Sequence, residues 1–326
     1  MEKKELLINC ISKFKDINML IIGDLILDKY TKGRVSRISP EAPVPVIEIT
    51  KEHYVPGGAG NVVNNLNELG IRTYIGGVIG DDIFGRQLKD ILDHKGSDTS
   101  GVFVDPNRPT SLKTRIIAEH QQVVRTDLES TEEISQELVE GLVEWIDRCI
   151  NKVNGIVISD YGKGLITSEL IKNVLDAAEG KNIPVVVDPQ VGHFFEYKNV
   201  TSITPNLRET ELALRTEIHD KEALEISGKR LLEELDSESV LITRGEHGMT
   251  LVHKDGTLKD IPAKAKEVYD VSGAGDTVVS VFTAGLTIGL DHYVSALLAN
   301  YAAAVVVAKL GTATASIDEL KKEIES

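Results

Sequence analysis

The stretch "DVSGAGDTVVSVF", residues 270–282, sets two glycines and an alanine between two aspartates and then runs into an apolar segment. Gly273 and Gly275 permit backbone angles closed to other residues, and "DTVVSVFTAGLTIGL" continues with helical character. Successive backbone N–H groups at such a helix start point outward and form an anion hole. Their unsatisfied hydrogens and the helix dipole stabilise a phosphate or a developing negative charge. Asp276 falls in the first helical turn. A carboxylate there serves as an N-terminal cap or helix-dipole partner. It serves equally as a base that takes a hydroxyl proton while the amides hold the attacked phosphoryl group.

Other residues could complete such a site. "GDLILD" ends a strand-like run with Asp24 and Asp28, and "PGGAGN" (56–61) opens a helix with Gly57, Gly58 and then Asn61. Glycines before a helix make a tight turn in the plainer reading; in the functional one, Asp28 and Asn61 grip vicinal hydroxyls, since a carboxylate accepts from two of them and an amide both donates and accepts. "SDYGKG" (159–164) carries Lys163 in a glycine-rich turn, and Arg34, Arg37, Arg115 and Arg125 lie in two segments of alternating polarity. These cations either solvate a surface or bind phosphate, for which arginine is suited by its bidentate fork. In "TPNLRETE" (204–211) Asn206 and Glu209 are spaced as an N-cap with an acidic first turn. The same pair could hold the waters of a Mg²⁺ ion, which keeps waters and uses few carboxylates. "TRGEHGM" (243–249) reads by itself as a strand end and hairpin turn. Both familiar nucleotide loops are absent: "GDDIFGRQ" (80–87) ends in Arg-Gln where a P-loop needs Lys-Ser/Thr, and "GAGNVV" and "GAGDTV" lack the third glycine of a dinucleotide fingerprint. The eight histidines form no metal-like cluster.

The elements that must position these residues follow from the apolar pattern. "NMLIIGD", "GIVISD", "IPVVVDP" and "SVLITRG" are short continuous apolar runs separated by helical stretches, the mark of a parallel sheet buried on both faces. The fold class expected is a doubly wound α/β core. Ligands bind beyond the carboxyl ends of such strands, where Asp24, Asp160, Asp188 and Thr243-Arg244-Gly245 are delivered. Residues about 29–56 and 110–127 instead alternate apolar with polar, which predicts a small antiparallel lid outside the core. A four-stranded lid needs a cover on one face, either the substrate region or the lid of another subunit, and a homodimer through the lid is expected. At 326 residues, one large domain with a minor appendage is expected, so the whole of 1–326 is read as a single domain. A net charge of -15 spread along the chain excludes nucleic acid and anionic membranes as expected partners. Cys10 and Cys149 have neither metal-ligand nor disulfide spacing, and "MEKKELLINCISKF" has no signal-peptide character, so a cytoplasmic protein is expected.

Taken in order along essentially the whole chain, these pieces resemble the ribokinase-like (PfkB) carbohydrate kinase family. "DVSGAGD" resembles its C-terminal signature, and "PGGAGNVVNNLNELG" followed by "GVIGDDIFG" its N-terminal one. The resemblance implies ATP and Mg²⁺ as cofactors, Asp276 as catalytic base, and the amides from Ala274 to Asp276 as the anion hole beside Gly273. It implies Asn206 and Glu209 at the magnesium, Thr243, Gly245 and Gly248 at the nucleotide, and Asn300 closing an adenine pocket. Asp270, Ser272, Gly311 and Ser316 lie where several members hold a monovalent cation, K⁺ in particular. Within the family, "GDLILDKYTKGRVSRISPEAPVPV", "SDYGKGL" and "EVYDVSGAGDT" closely resemble the kinases of D-glycero-β-D-manno-heptose 7-phosphate, which phosphorylate the anomeric 1-hydroxyl. That substrate carries a phosphate at its far end, for which Arg37, Lys163 and Arg115 are the candidate cations. Many such relatives fuse a nucleotidyltransferase domain; with the chain ending at Ser326, the second activity is expected in another protein. The alternatives are a family kinase acting on another sugar, sugar phosphate or nucleoside, and a sugar-phosphate sensor without catalysis, which would have no use for Asp276.

Overall fold

The run from Asn18 to Gly23 is built from Met, Leu and Ile on both sides of the pleat, and it forms the central strand of a sheet covered on both faces. The computed structural model describes residues 2–119, 121–265 and 267–326. In chain order its strands are β1 (Asn18–Gly23), β2 (Leu25–Ile38), β3 (Pro45–Gly58), β4 (Arg72–Gly80), β5 (Asp98–Asp105), β6 (Ser111–Ala118), β7 (Gln121–Leu128), β8 (Gly155–Ser159), β9 (Val185–Asp188), β10 (Ser202–Ile203), β11 (Ser239–Thr243), β12 (Met249–His253) and β13 (Leu258–Ile261). The helices are α1 (Glu2–Ile11), α2 (Ala59–Glu68), α3 (Ile83–His94), α4 (Gln136–Cys149), α5 (Ser168–Ala178), α6 (Leu207–Leu214), α7 (Lys221–Leu235), α8 (Ala274–Thr287), α9 (His292–Val307) and α10 (Ile317–Glu325).

The main sheet runs β13-β12-β11-β10-β9-β8-β1-β4-β5, parallel throughout from β11 to β5, with β12 and β13 antiparallel at one edge. Alternate side chains serve two cores: Met19 and Ile21 pack towards the helices α2, α8 and α9, and Leu20 and Ile22 towards α4, α5 and α7. From β1 the chain proceeds to β4 and β5 on one side, and from β8 it proceeds outward on the other. The crevice where that order reverses lies beyond the ends of β1 and β8, where Asp24 and Asp160 follow directly.

The second sheet, β3-β2-β6-β7, is the expected lid; its strands begin four residues before and end two after the first segment, and begin one residue inside and end one beyond the second. His120, inside the second expected segment, lies outside the described residues. Each hairpin is antiparallel, but the two join through β2 and β6, which run parallel. Both strands leave the same edge of the core as first strands of their hairpins, so they point the same way. The base of β2 is buried from Leu25 to Tyr30 apart from the half-buried Lys29, whereas its tip from Arg34 to Ile38 is exposed. Near that tip Ile38 and Ile49 are 63% and 60% exposed, apolar side chains that none of the described residues covers. Among the described residues no helix is long and apolar enough to cross a membrane.

Candidate active site

The glycine-rich stretch does begin a helix. Gly273, in the left-handed region with φ of 78°, precedes the first residue of α8. A β-carbon there would be strained by that backbone and would stand 2.6 Å from the Asn61 side-chain nitrogen. The Ala274 N–H donates to the Val271 carbonyl at 3.2 Å, so the expected hole of three amides narrows to those of Gly275 and Asp276, which make no bond to described residues. Gly275 is exposed, with nothing within 4 Å of where its β-carbon would stand, so a ligand can approach the backbone directly.

Asp276 is not a cap: no side chain caps α8. Its carboxylate is 4% exposed and accepts two hydrogen bonds, one per oxygen, from Asn61 Nδ2 and from the Tyr161 hydroxyl, each at 2.7 Å. Burial pushes its pKa up to about 6 and the negative charge of Asp28 adds to that push, while the Asn61 and Tyr161 donors oppose it. A carboxylate so poised is a usable base near neutral pH.

The turn after β8 brings Tyr161 to that carboxylate. Asp24 accepts from the backbone N–H groups of Tyr161, Lys163 and Leu165 at 2.8, 3.1 and 3.3 Å. Burial still carries its pKa up to about 6. Asp160 next to it accepts from the Tyr197 hydroxyl at 2.5 Å and bonds the His193 ring at 2.7 Å. Asp188, at the end of β9, is driven well above the usual carboxylate range by burial and by the charge of Asp276. Tyr161 does not stand out in the sequence as a site residue, and Asp188 does so only as one of the strand ends delivered to the crevice. The only signals are the turn "SDYGKG" for the first and the strand end "VVVDP" for the second, and neither reveals a partner more than 80 residues away.

On the lid side, Asp28 sits at the buried base of β2, and Gly57 and Gly58 pair across from Ile26 and Leu25. Asn61 follows in the first turn of α2, fully buried, with its Oδ1 lacking a partner among the described residues. The candidate cations arrive paired. Arg115 binds Asp28 at 2.5 Å, and Lys163 binds Glu129 at 2.8 Å. Arg37 is not brought to this site: it is exposed, nine residues beyond Asp28 on the same strand, about 30 Å away at the rise of an extended chain. Arg108, unremarked in the sequence, braces the turn by donating to the Lys163 carbonyl at 2.9 Å.

The nucleotide candidates converge on one cavity of about 510 Å³, lined by Thr243, Gly245, Gly248, Asn300 and Gly275 with apolar side chains of α8 and α9. Asn300 donates to the Pro262 carbonyl at 2.8 Å, fixing the wall against β13. Thr243 and Gly275 also line an adjoining cavity of about 350 Å³ that holds Asp160, Asp188, Asn206 and Glu209. A larger cavity, about 710 Å³, lies between α5 and the chain around Phe195 and contains none of these groups. Asn206 and Glu209 form a reciprocal capping box at the start of α6, each side chain accepting from the other's N–H at 2.8 Å, so the cap reading of that pair is realised. Burial raises the Glu209 pKa against those bonds. Asp270 accepts from the N–H groups of Ser272 and Gly311, both at 2.9 Å, which gathers three of the four expected cation residues. The fourth differs: the Ser316 hydroxyl caps α10 in a box with Glu319.

The apolar cavity, the helix-start amides and the buried carboxylate thus meet at the start of α8. Residues 18–319 match the pfkB family carbohydrate kinase pattern. The chain is 46% identical over 324 residues to "Bifunctional protein HldE" of Geotalea uraniireducens, covering 99% of this chain and 66% of that protein. It is 45% identical over 306 residues to the protein of the same name from Geobacter metallireducens, covering 94% and 62%. The chain thus spans about two thirds or less of these relatives. Among solved structures, phosphofructokinase-2 from Escherichia coli in complex with potassium superposes with a TM-score of 0.78 at 17% identity, over 95% of this chain and 98% of that one. Arabidopsis thaliana ribokinase complexed with ribose and ATP gives 0.74 at 18% identity, over 95% and 99%. These two likenesses carry the fold; by the sequence match, the chain belongs to the pfkB family of carbohydrate kinases.

Proposed function

We propose that this chain, as one kinase domain over 1–326, transfers the γ-phosphoryl group of ATP to the anomeric hydroxyl of D-glycero-β-D-manno-heptose 7-phosphate. The observation that carries the reading is the buried Asp276 carboxylate beside the unbonded N–H groups of Gly275 and Asp276. The carboxylate takes the acceptor proton as the oxygen attacks. The two amides stabilise charge on the transferred group, and they are already oriented, so no reorganisation is needed at that moment. The choice of sugar rests on the resemblance of the β2–β3 hairpin, the "SDYGKGL" turn and "EVYDVSGAGDT".

Each part of the crevice then has a task. Adenine fits the apolar cavity between α8 and α9, and the phosphates extend past Gly275 towards Asn206 and Glu209. Glu209 and Asp188 are half-buried acids lifted above their usual range, which suits a place that a cation occupies. Mg²⁺ held there through waters on Asn206 and Glu209 would neutralise phosphate charge. K⁺ beside Asp270, Ser272 and Gly311 is a finer part of the reading, without Ser316. Asp28 and Asn61 hold sugar hydroxyls, the buried Oδ1 of Asn61 being an acceptor without a partner among the described residues. The far phosphate is read by Lys163 and Arg115, which must exchange Glu129 and Asp28 for it in part.

A lid-to-lid homodimer would cover Ile38 and Ile49, and a monomeric mass in sedimentation at micromolar concentration would remove it. Two free buried cysteines and the need for ATP fit the cytoplasm. The test of function is ADP release with Mg-ATP and a panel of the heptose 7-phosphate, fructose 6-phosphate, ribose and adenosine. Turnover confined to the heptose phosphate is expected. Turnover on another acceptor would discard the phosphate pocket, and silence across the panel would favour the sensor.

A further inference from the structure

Tyr161 occupies a place that neither the anion hole nor the nucleotide cavity requires. Its hydroxyl donates to Asp276 Oδ1 at 2.7 Å, while Asn61 donates to the other oxygen, so the plane of the carboxylate is held at both ends. The tyrosine is held in turn. Asp24 accepts three backbone N–H groups of the turn, from Tyr161, Lys163 and Leu165. Gly162 and Gly164 take φ of 65° and 81° to shape it, and Arg108 and Glu129 grip Lys163 by its carbonyl and its ammonium group. A mere packing role would not need a carboxylate at the end of β1 to immobilise the backbone directly beside the phenol.

We infer that Tyr161 is a positioning residue for the base, fixing the Asp276 carboxylate in its ionised, acceptor-facing orientation through a turn that Asp24 ties to the core. The inference rests on the kinase reading for the identity of Asp276 as base. The groups that face Asp276 are Tyr161 from this turn, Asn61 from α2, Asp28 from β2 and Asp188 from β9. The two carboxylates oppose its ionisation, while the two neutral donors and the N-terminal end of α8, in whose first turn it lies, favour it. Burial and the neighbouring carboxylates hold the phenol well above its ordinary pKa, so it stays a donor throughout the working range.

Tyr161→Phe removes the hydroxyl and keeps the ring. Losing one hydrogen bond to a buried charge should move the acid limb of kcat/KM upward by about one pH unit. The deficit against wild type should then grow from near unity at pH 8 to about fivefold at pH 6 from ionisation alone. The substrate phosphates titrate nearby as well, but identically for both proteins, so the displacement between the two limbs is the readout. KM for ATP should stay within about twofold, since a residue acting only through the base removes no uniform nucleotide binding. A second measurement needs no turnover: the rise in Tm produced by Asp276→Asn at pH 8 should be larger in the Tyr161→Phe background than in wild type. An active Tyr161→Phe enzyme with an unshifted limb overturns the inference, as do equal rises in Tm in the two backgrounds. Wild-type protein that transfers no phosphate to any acceptor overturns the kinase reading instead, and the Tm comparison then decides the Tyr161–Asp276 coupling alone.

Discussion

Burying Asp276 works against the fold, and the size of the effect can be worked out. The pKa rises from the ordinary 3.8 to about 6, a little over two units. At about 1.36 kcal/mol per unit, the ionised carboxylate costs the folded state about 3 kcal/mol once the pH is well above 6. The folded-state pKa is the higher one, so the folded protein binds the proton more tightly. The penalty is absent below pH 3.8, grows as the pH rises to 6, and is constant beyond. Asp276→Asn keeps the size of the side chain, and either Asn61 or the Tyr161 hydroxyl can turn to accept from the new amide. The variant should therefore be more stable than wild type, by about 3 kcal/mol at pH 8 and about half of that at pH 5. With an unfolding entropy of about 2.1 cal/mol/K per residue, the gain at pH 8 is a rise of about 4 °C in Tm. Thermal unfolding of both proteins from pH 5 to 8, without ligands, is the assay. A variant no more stable than wild type at pH 8, or a gain that does not shrink towards pH 5, would refute the reasoning.

Lys163→Ala should raise KM for the sugar phosphate about tenfold or more with the ATP constant unchanged, whereas Arg37→Ala should leave both within about twofold, as steady-state kinetics would show; equal effects would mean that the lid tip reaches the site after all. Gly273→Ala should lower Tm by several degrees and abolish turnover, because the left-handed backbone resists a β-carbon and that carbon would press on Asn61. Replacing KCl by NaCl should lower turnover several-fold if a cation sits beside Asp270, and equal rates in the two salts would remove that part of the reading.

The core was legible because its strands are buried on both faces: "NMLIIG" or "PVVVD" can be little else, and each ends where a polar residue is delivered to the crevice. The helix-start amides were legible because a glycine at φ of 78° before an apolar helix is a local matter. What depends on distance was not. Tyr161 and Asp276 are 115 residues apart in sequence, and no spacing announces their bond. Arg37 looked like a phosphate reader because the pattern of a 14-residue strand does not say which end is over the sugar. Asn206 and Glu209 could be read as a cap or as water ligands, and the capping box shows the two uses are compatible, since each carboxylate and amide oxygen keeps a lone pair for the cavity. Ser316 went the other way, its hydroxyl being committed to α10.

The central claim is that Asp276 is the base of a phosphoryl transfer. Its most direct test is turnover of Asp276→Asn on whichever acceptor the wild-type protein uses, with Mg-ATP binding measured on the same preparation. A loss of about 10²-fold or more in kcat, with the ATP dissociation constant within about twofold of wild type, is the result expected. Near-normal turnover in a variant that binds ATP normally would contradict it.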